Sequence, residues 1–349
     1  MGTHGTRGSR TTVARALALL VLIAALALAA CGGSGTPTPG PTPEPNPTPS
    51  EAAITPSPRW SPTMTPAPIP VVKPGQKPPP FSDLKAMFAY DKTEPLDFKE
   101  LPNLDDTVDG VKFRGIGFEQ NGETVAGYLA LPDGDGPFPV VVYAPGWKTA
   151  VMDVDDGWAT EAAAMVKRGY AGLLLDEPIT RFYTFDAPTD VAAFVLYATQ
   201  ERRALDLLAT MPEIDRGRIG FVGWSNGAIL GSLLAGLEDR IKAYVFLGVC
   251  GMTTFSPEEK KSMNVPTGAA WARRYAAQMS VSDNVAYVGH DKGAKLLFVN
   301  GKDDVGAMHD AKAFLAAAPK ASTWHVYAGG HFPSGAANKY WQAWMLKNL

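Results

Sequence analysis

Residues 218–227 read Arg-Ile-Gly-Phe-Val-Gly-Trp-Ser-Asn-Gly. An apolar strand pattern runs into Gly223-Trp224-Ser225-Asn226-Gly227, and a helix-forming stretch, Ala228 to Leu237, follows. G-x-S-x-G between a strand and a helix is the sharp turn that lifts a serine Oγ clear of a sheet, ready to attack an acyl carbon. Gly223 and Gly227 carry no Cβ, so strand and helix can close on each other. The Asn226 amide falls at the helix N-terminus, where N–H groups lack intrahelical acceptors and can face developing negative charge. The pentapeptide by itself is a weak signal; its weight comes from the strand and helix that flank it.

A serine so placed needs a parallel sheet beneath it, and the surrounding pattern supplies one. Val111–Gln120 and Thr124–Pro132 read as a strand pair turned at Asn121-Gly122, a strong hairpin signal. Short, nearly continuous apolar runs follow at Pro139–Ala144, Ala171–Leu175, Ile219–Val222, Ile241–Leu247, Lys295–Val299 and Thr323–Tyr327. Helical patterns separate them: to about Arg168, to about Met211, 226–237, 307–318 and 335–348, with a less regular stretch over 252–285. Strands without polar alternation, spaced by helices, indicate a mostly parallel central sheet with helices on both faces.

This order resembles the α/β-hydrolase fold over nearly all of 111–349. The stretch Arg203–Met211, Asp215-Arg216-Gly217-Arg218-Ile219-Gly220 and the turn after it are similar to the dienelactone-hydrolase-like and bacterial acyl-esterase branch. Dienelactone hydrolases proper use a cysteine nucleophile, whereas this chain has Ser225, so the resemblance favours a serine esterase. It implies an acid and then a base, each on the loop after a later strand. After strand 295–299 comes Asn300-Gly301-Lys302-Asp303-Asp304. The resembling families carry Gly-x-x-Asp here, which selects Asp304, with Asp303 as the alternative and the unused one a loop carboxylate or helix cap. After strand 323–327 comes Ala328-Gly329-Gly330-His331, and His331 fits the family's base. The other histidines suit the role less well: His4 is in the leader, His290 precedes the acid's strand, His325 lies inside a strand, and His309 sits near a helix start. The resemblance also implies a second oxyanion donor in Pro145-Gly146-Trp147. Relatives often have His-Gly at the first two positions; a backbone amide is the donor, so Pro145 is tolerable, and Trp147 is the expected donor beside Asn226.

Residues 1–31 read as a leader. Arg7, Arg10 and Arg15 precede an apolar run, Ala16–Ala30, too short to span a membrane comfortably. It ends Leu28-Ala29-Ala30-Cys31, which resembles the bacterial lipobox and makes Cys31 the expected lipidation site. The implied location is extracytoplasmic, with a lipid anchor in the bacterial cell membrane. Residues 32–80 hold 17 of the 30 prolines and cannot bury enough apolar surface to fold. They read as an extended tether, reaching on the order of 150 Å at about 3.1 Å per residue. Residues 81–349 remain for one catalytic domain.

Only two cysteines are present. With Cys31 in the lipobox, Cys250 has no partner, no disulfide is expected, and Cys250 reads as a small buried hydrophobe. The net charge of −3 with no basic cluster in the folded part does not suggest nucleic-acid binding. No metal-ligand set or phosphate loop appears, so no cofactor is implied; Asp176-Glu177 reads as a structural strand end. The irregular stretches 177–188 and 252–285 are expected to cover the pocket and offer Phe182, Tyr183, Phe185, Trp271 and Tyr275, as lid packing or as ligand contacts. The expected partner is a small-molecule or polymer-borne ester of short-to-medium acyl length. The alternatives are a thioesterase, amidase or acyltransferase using the same residues, and a non-catalytic binding lipoprotein.

Overall fold

The computed structural model describes residues 67–147, 149–153, 157–175, 183–291 and 293–349. The leader, Cys31, most of the tether, Lys148, Asp176-Glu177 and Phe182 lie outside the described residues.

A short helix α1 (Phe81–Ala86) leads into strands β1 (Lys99–Glu100), β2 (Asp106–Val108), β3 (Val111–Gln120) and β4 (Glu123–Ala130). Asn121 and Gly122 turn the β3–β4 hairpin with φ of 53° and 75°, the left-handed pair that a tight two-residue hairpin turn requires. Then β5 (Phe138–Ala144), α2 (Ala159–Val166), β6 (Ala171–Leu175), α3 (Ala187–Leu208), β7 (Ile214–Trp224), α4 (Asn226–Leu237) and β8 (Ile241–Leu247) alternate. An insertion carries α5 (Pro257–Ser262), α6 (Ala269–Met279) and α7 (Asn284–Val288), and β9 (Lys295–Gly301), α8 (Val305–Ala317), β10 (Thr323–Tyr327) and α9 (Gly335–Asn348) complete the chain.

The sheet order is β1-β3-β4-β6-β5-β7-β8-β9-β10, with β2 paired to β3. Strands from β6 through β10 run parallel, and the early strands join antiparallel. This is an α/β-hydrolase fold. The apolar runs are continuous because both faces are covered. Along β5, Val140, Val142 and Ala144 face the core under α3, α4 and α7, while Val141 and Tyr143 face the core under α2 and α9. Every residue of α4 is buried, so the helix that follows the serine is enclosed on every side.

From β5 the chain crosses to β6 on one side, then returns to β7 on the other. The reversal opens a crevice at the carboxyl ends of β5 and β7, where open α/β sheets bind ligands.

Packing onto the domain starts before the expected boundary at residue 81. Val72 is buried, its N–H donates to Gln278 Oε1 at 3.0 Å, and Gln278 Nε2 donates to Pro70 O at 2.9 Å. One amide side chain on α6 thus satisfies two backbone groups of a proline-rich segment that lacks a strand partner.

Candidate active site

Ser225 lies between β7 and α4 with φ 53° and ψ −114°, a conformation that costs a non-glycine residue of order 1–3 kcal/mol. The surroundings enforce it. The Ser225 N–H donates to Leu247 O at 2.9 Å, and the Gly227 N–H donates to Pro145 O at 2.9 Å. A Cβ on Gly223 would come within 2.2 Å of Gly227 O, and one on Gly227 within 2.1 Å of Ala144 O. The two glycines therefore allow strand β7, helix α4 and the end of β5 to meet around the serine.

His331 Nε2 stands 2.8 Å from Ser225 Oγ, and His331 Nδ1 stands 2.7 Å from Asp304 Oδ2. An ionised carboxylate only accepts, so Nδ1 carries the proton and Nε2 is free to accept from the serine hydroxyl. Asp304 is buried and caps α8: its Oδ1 accepts from the Ala307 N–H at 3.1 Å. One oxygen thus ties the carboxylate to a helix while the other faces the imidazole. Burial disfavours the charged imidazole, but the hydrogen bond and charge of Asp304, with Glu259 behind, outweigh it and hold His331 above the ordinary histidine value.

Asp303 is exposed on the same loop and does not meet His331. Of the two roles the sequence leaves open for the unused aspartate, loop carboxylate or helix cap, Asp303 is an exposed loop carboxylate, while Asp304 both caps α8 and meets the histidine. His325 stacks on Tyr340 with ring centroids 3.7 Å apart, and His309 pairs with Asp310 at the surface. Asn226 opens α4 and Trp147 follows the Pro145-Gly146 turn, so both expected oxyanion donors come from segments that meet at Ser225.

A cavity of about 320 Å³ adjoins His331, lined by Cys250, Ser256, Glu259, Asp303, Asp304 and Phe332, among others. The aromatics expected over the pocket line a different space. Phe185, Trp271 and Tyr275 border a separate cavity of about 300 Å³ against Val72, and Tyr183, Phe185 and Phe255 pack edge to face. The buried Asp190 carboxylate secures that cluster by accepting from the N–H groups of Thr184 and Phe185 and from the Tyr275 hydroxyl. Cys250 is buried, and burial pushes its thiol well above the usual range.

Two residues of the site escape a reading of the sequence. Trp224, the variable residue before the serine, donates through Nε1 to His331 O at 3.0 Å, and a Cβ on Gly146 would lie 2.8 Å from its ring. It braces the base loop and the Pro145 turn together. Glu259 enters through a capping box with Ser256; the Ser-Pro-Glu-Glu pattern is the signal that marks it. Among the described residues no group of three or more His, Cys, Asp or Glu is arranged to hold a metal.

Comparison with known proteins gives a consistent picture. A family model described as Esterase FrsA-like matches residues 106–272, a span that includes Ser225 and ends before Asp304 and His331. The chain is 31% identical over 140 residues to Esterase FrsA of Vibrio cholerae, covering 40% of this chain and 32% of that protein. It is 30% identical over 128 residues to Esterase FrsA of Escherichia coli O157:H7, covering 36% and 29%. The match thus spans about a third of the length of these curated relatives. Among solved structures, acetyl xylan esterase 1 from Thermoanaerobacterium sp. superposes with a TM-score of 0.61 at 16% identity, covering 79% of this chain and 96% of that one. An acetyl xylan esterase from Paenibacillus sp. gives 0.61 at 18% identity, covering 80% and 98%. At these identities the likeness is one of fold.

Proposed function

We propose that this protein is a serine hydrolase of carboxylic esters that works through an acyl-enzyme on Ser225. The observation that carries the reading is the unbroken line from Ser225 Oγ through His331 to Asp304, with links of 2.8 and 2.7 Å. Ser225 Oγ attacks the ester carbonyl as His331 Nε2 takes its proton, and the imidazolium then gives that proton to the departing alcohol. Water, deprotonated by the same nitrogen, cleaves the acyl-enzyme and returns the serine. Asp304 orients the imidazole and stabilises its charged form. The Asn226 and Trp147 amides stabilise the oxyanion. The esterase names of the FrsA relatives and of the acetyl xylan esterases support an ester substrate. The cavity of about 320 Å³ beside His331 suits a short acyl ester such as an acetylated sugar. Within the superfamily the reading is dienelactone-hydrolase-like, with serine in the place of cysteine.

The test is hydrolysis of p-nitrophenyl acetate, butyrate and octanoate by wild type and Ser225→Ala, at matched folding. Turnover in the wild type and its loss in the variant is the expected result, with acetate or butyrate preferred. A folded wild type that is inert to these esters and to a fluorophosphonate probe overturns the reading in favour of a binding protein. Thioester or amide substrates turned over faster than esters would reassign the acyl chemistry.

We further propose that the domain is carried outside the cell on a lipid at Cys31 and a tether through residue 80. Cys31→Ser is expected to move the protein from the membrane to the soluble fraction; unchanged membrane association rejects the anchor.

A further inference from the structure

A third cavity, of about 330 Å³, is lined by Trp224 and Phe332 together with Gly157, Trp158, Glu161, Pro333 and Asn338. Its chemistry is one-sided. Both indole N–H groups are committed: Trp158 Nε1 donates to Ala144 O at 2.7 Å and Trp224 Nε1 to His331 O at 3.0 Å. Asn338 donates through Nδ2 to Glu161 Oε1 at 2.6 Å and accepts from Trp341 Nε1 through Oδ1 at 3.2 Å. What remains for a visitor is aromatic surface and a carboxylate. Phe332 is 61% exposed, and its ring centroid lies 4.8 Å from that of Trp224. Among the described residues no lysine or arginine lies within ion-pair distance of Glu161. Burial holds its carboxyl above the usual range, the condition of an acid that lacks a facing positive charge.

We propose that this cavity binds an organic cation, a substituted ammonium group, with the Trp158, Trp224 and Phe332 rings around it and the Glu161 carboxylate as its counter-ion. A cation over an aromatic face gains about 0.5–2 kcal/mol according to its desolvation, and a carboxylate adds a charged partner that an uncharged guest cannot use. The cavity shares Phe332 with the cavity beside His331, so an occupant lies next to the reacting groups. The site is defined by binding and stands whether or not the ester chemistry does.

The test is calorimetric titration of the full chain with choline and with 3,3-dimethylbutan-1-ol, which has choline's shape without its charge. Choline is expected to bind saturably and about tenfold more tightly than the alcohol. Glu161→Gln is expected to remove most of that difference while leaving the weak binding of the alcohol unchanged. Phe332→Ala, which alters an exposed ring and leaves the core intact, is expected to weaken choline several-fold. Equal binding of choline and the alcohol overturns the proposal, as does choline binding indifferent to both substitutions. Methyl xyloside captured in place of choline also overturns it, and reassigns the cavity to a sugar.

Discussion

The two ends of the sheet carry polar clusters made from the same kinds of contact and tuned in opposite ways. At the carboxyl ends of the parallel strands, Asp304, His331 and Ser225 form a line with one titratable base between a carboxylate and a hydroxyl. At the other end, just before β8, Arg240 meets Asp206 Oδ1 at 2.6 Å and Glu238 Oε2 at 2.7 Å, and Arg202 reaches Glu238 at 3.3 Å. Burial alone would raise the Glu238 carboxyl, but Arg240 and then Arg202 outweigh it and hold it at about 2. Burial, followed by the Asp206 charge, pushes the Tyr90 hydroxyl beside them up to about 12. Neither Glu238 nor Tyr90 changes charge near neutral pH, so the cluster is a fixed brace. At the upper end the imidazole is held above its ordinary value and has a donor on one side and an acceptor on the other. A proton there has somewhere to go.

The sharpest break in that comparison is Asp304→Asn against Asp303→Asn. The first is expected to lower kcat by roughly 10³–10⁴, and the second by no more than about threefold. The reverse order would move the orienting role to Asp303. On the proposed mechanism His331 accepts a proton only when neutral, so kcat/KM is expected to rise with pH on a limb above the ordinary histidine value of 6.5. Asp304→Asn is expected to move that limb downward. Next comes Arg240→Met, expected to destabilise by roughly 2–3 kcal/mol in urea titration, since the residual Glu238 charge keeps Arg202 as its one facing cation beside the residue-240 N–H. Its kcat is expected to stay at the wild-type value; a parallel loss of kcat would mean the two ends are coupled.

The smallest effect concerns Glu201 on α3, which is buried with neither oxygen hydrogen-bonded, its carboxyl pushed up to about 8 by burial. Below the unfolded value of about 4.5 both states hold the proton and the group costs nothing. As pH rises from there the unfolded chain ionises while the folded chain does not. Stability therefore falls until about pH 8 and then levels. Glu201→Gln is expected to flatten that fall, gaining on the order of 2 kcal/mol relative to wild type between pH 5 and 8. Parallel stability curves for the two proteins would mean that Glu201 has a partner in solution.

The parallel core was legible because each strand announces itself as a continuous apolar run; Ser225 was singled out by the turn between such a run and a helix, and Asp304 and His331 by the resemblance applied to the loops after two later runs, three groups that lie in hydrogen-bond reach of one another. β1 and β2 were not, because two- and three-residue strands have no period to read. The insertion was harder for a different reason. Phe185, Trp271 and Tyr275 suit a pocket or a lid by type, yet a buried carboxylate, Asp190, draws Phe185 and Tyr275 into a cluster that borders a different cavity from the one beside His331. Nothing in local sequence tells which loop a distant carboxylate will bind. The role of Trp224 is hidden for the same reason, since its partner His331 is 107 residues away.

The Gln278 clamp has a mechanical consequence. A pull on the chain before Pro70 is shared between the Ala67 N–H, which donates to Ala86 O at the end of α1 at 3.4 Å, and the Gln278 clamp on α6. α6 is in turn bound to the Tyr183–Phe185 loop through Tyr275 and Asp190, and the same insertion carries Ser256 and Glu259 to the cavity beside His331. Part of any load on the chain's amino-terminal side therefore passes into the insertion that also walls the pocket.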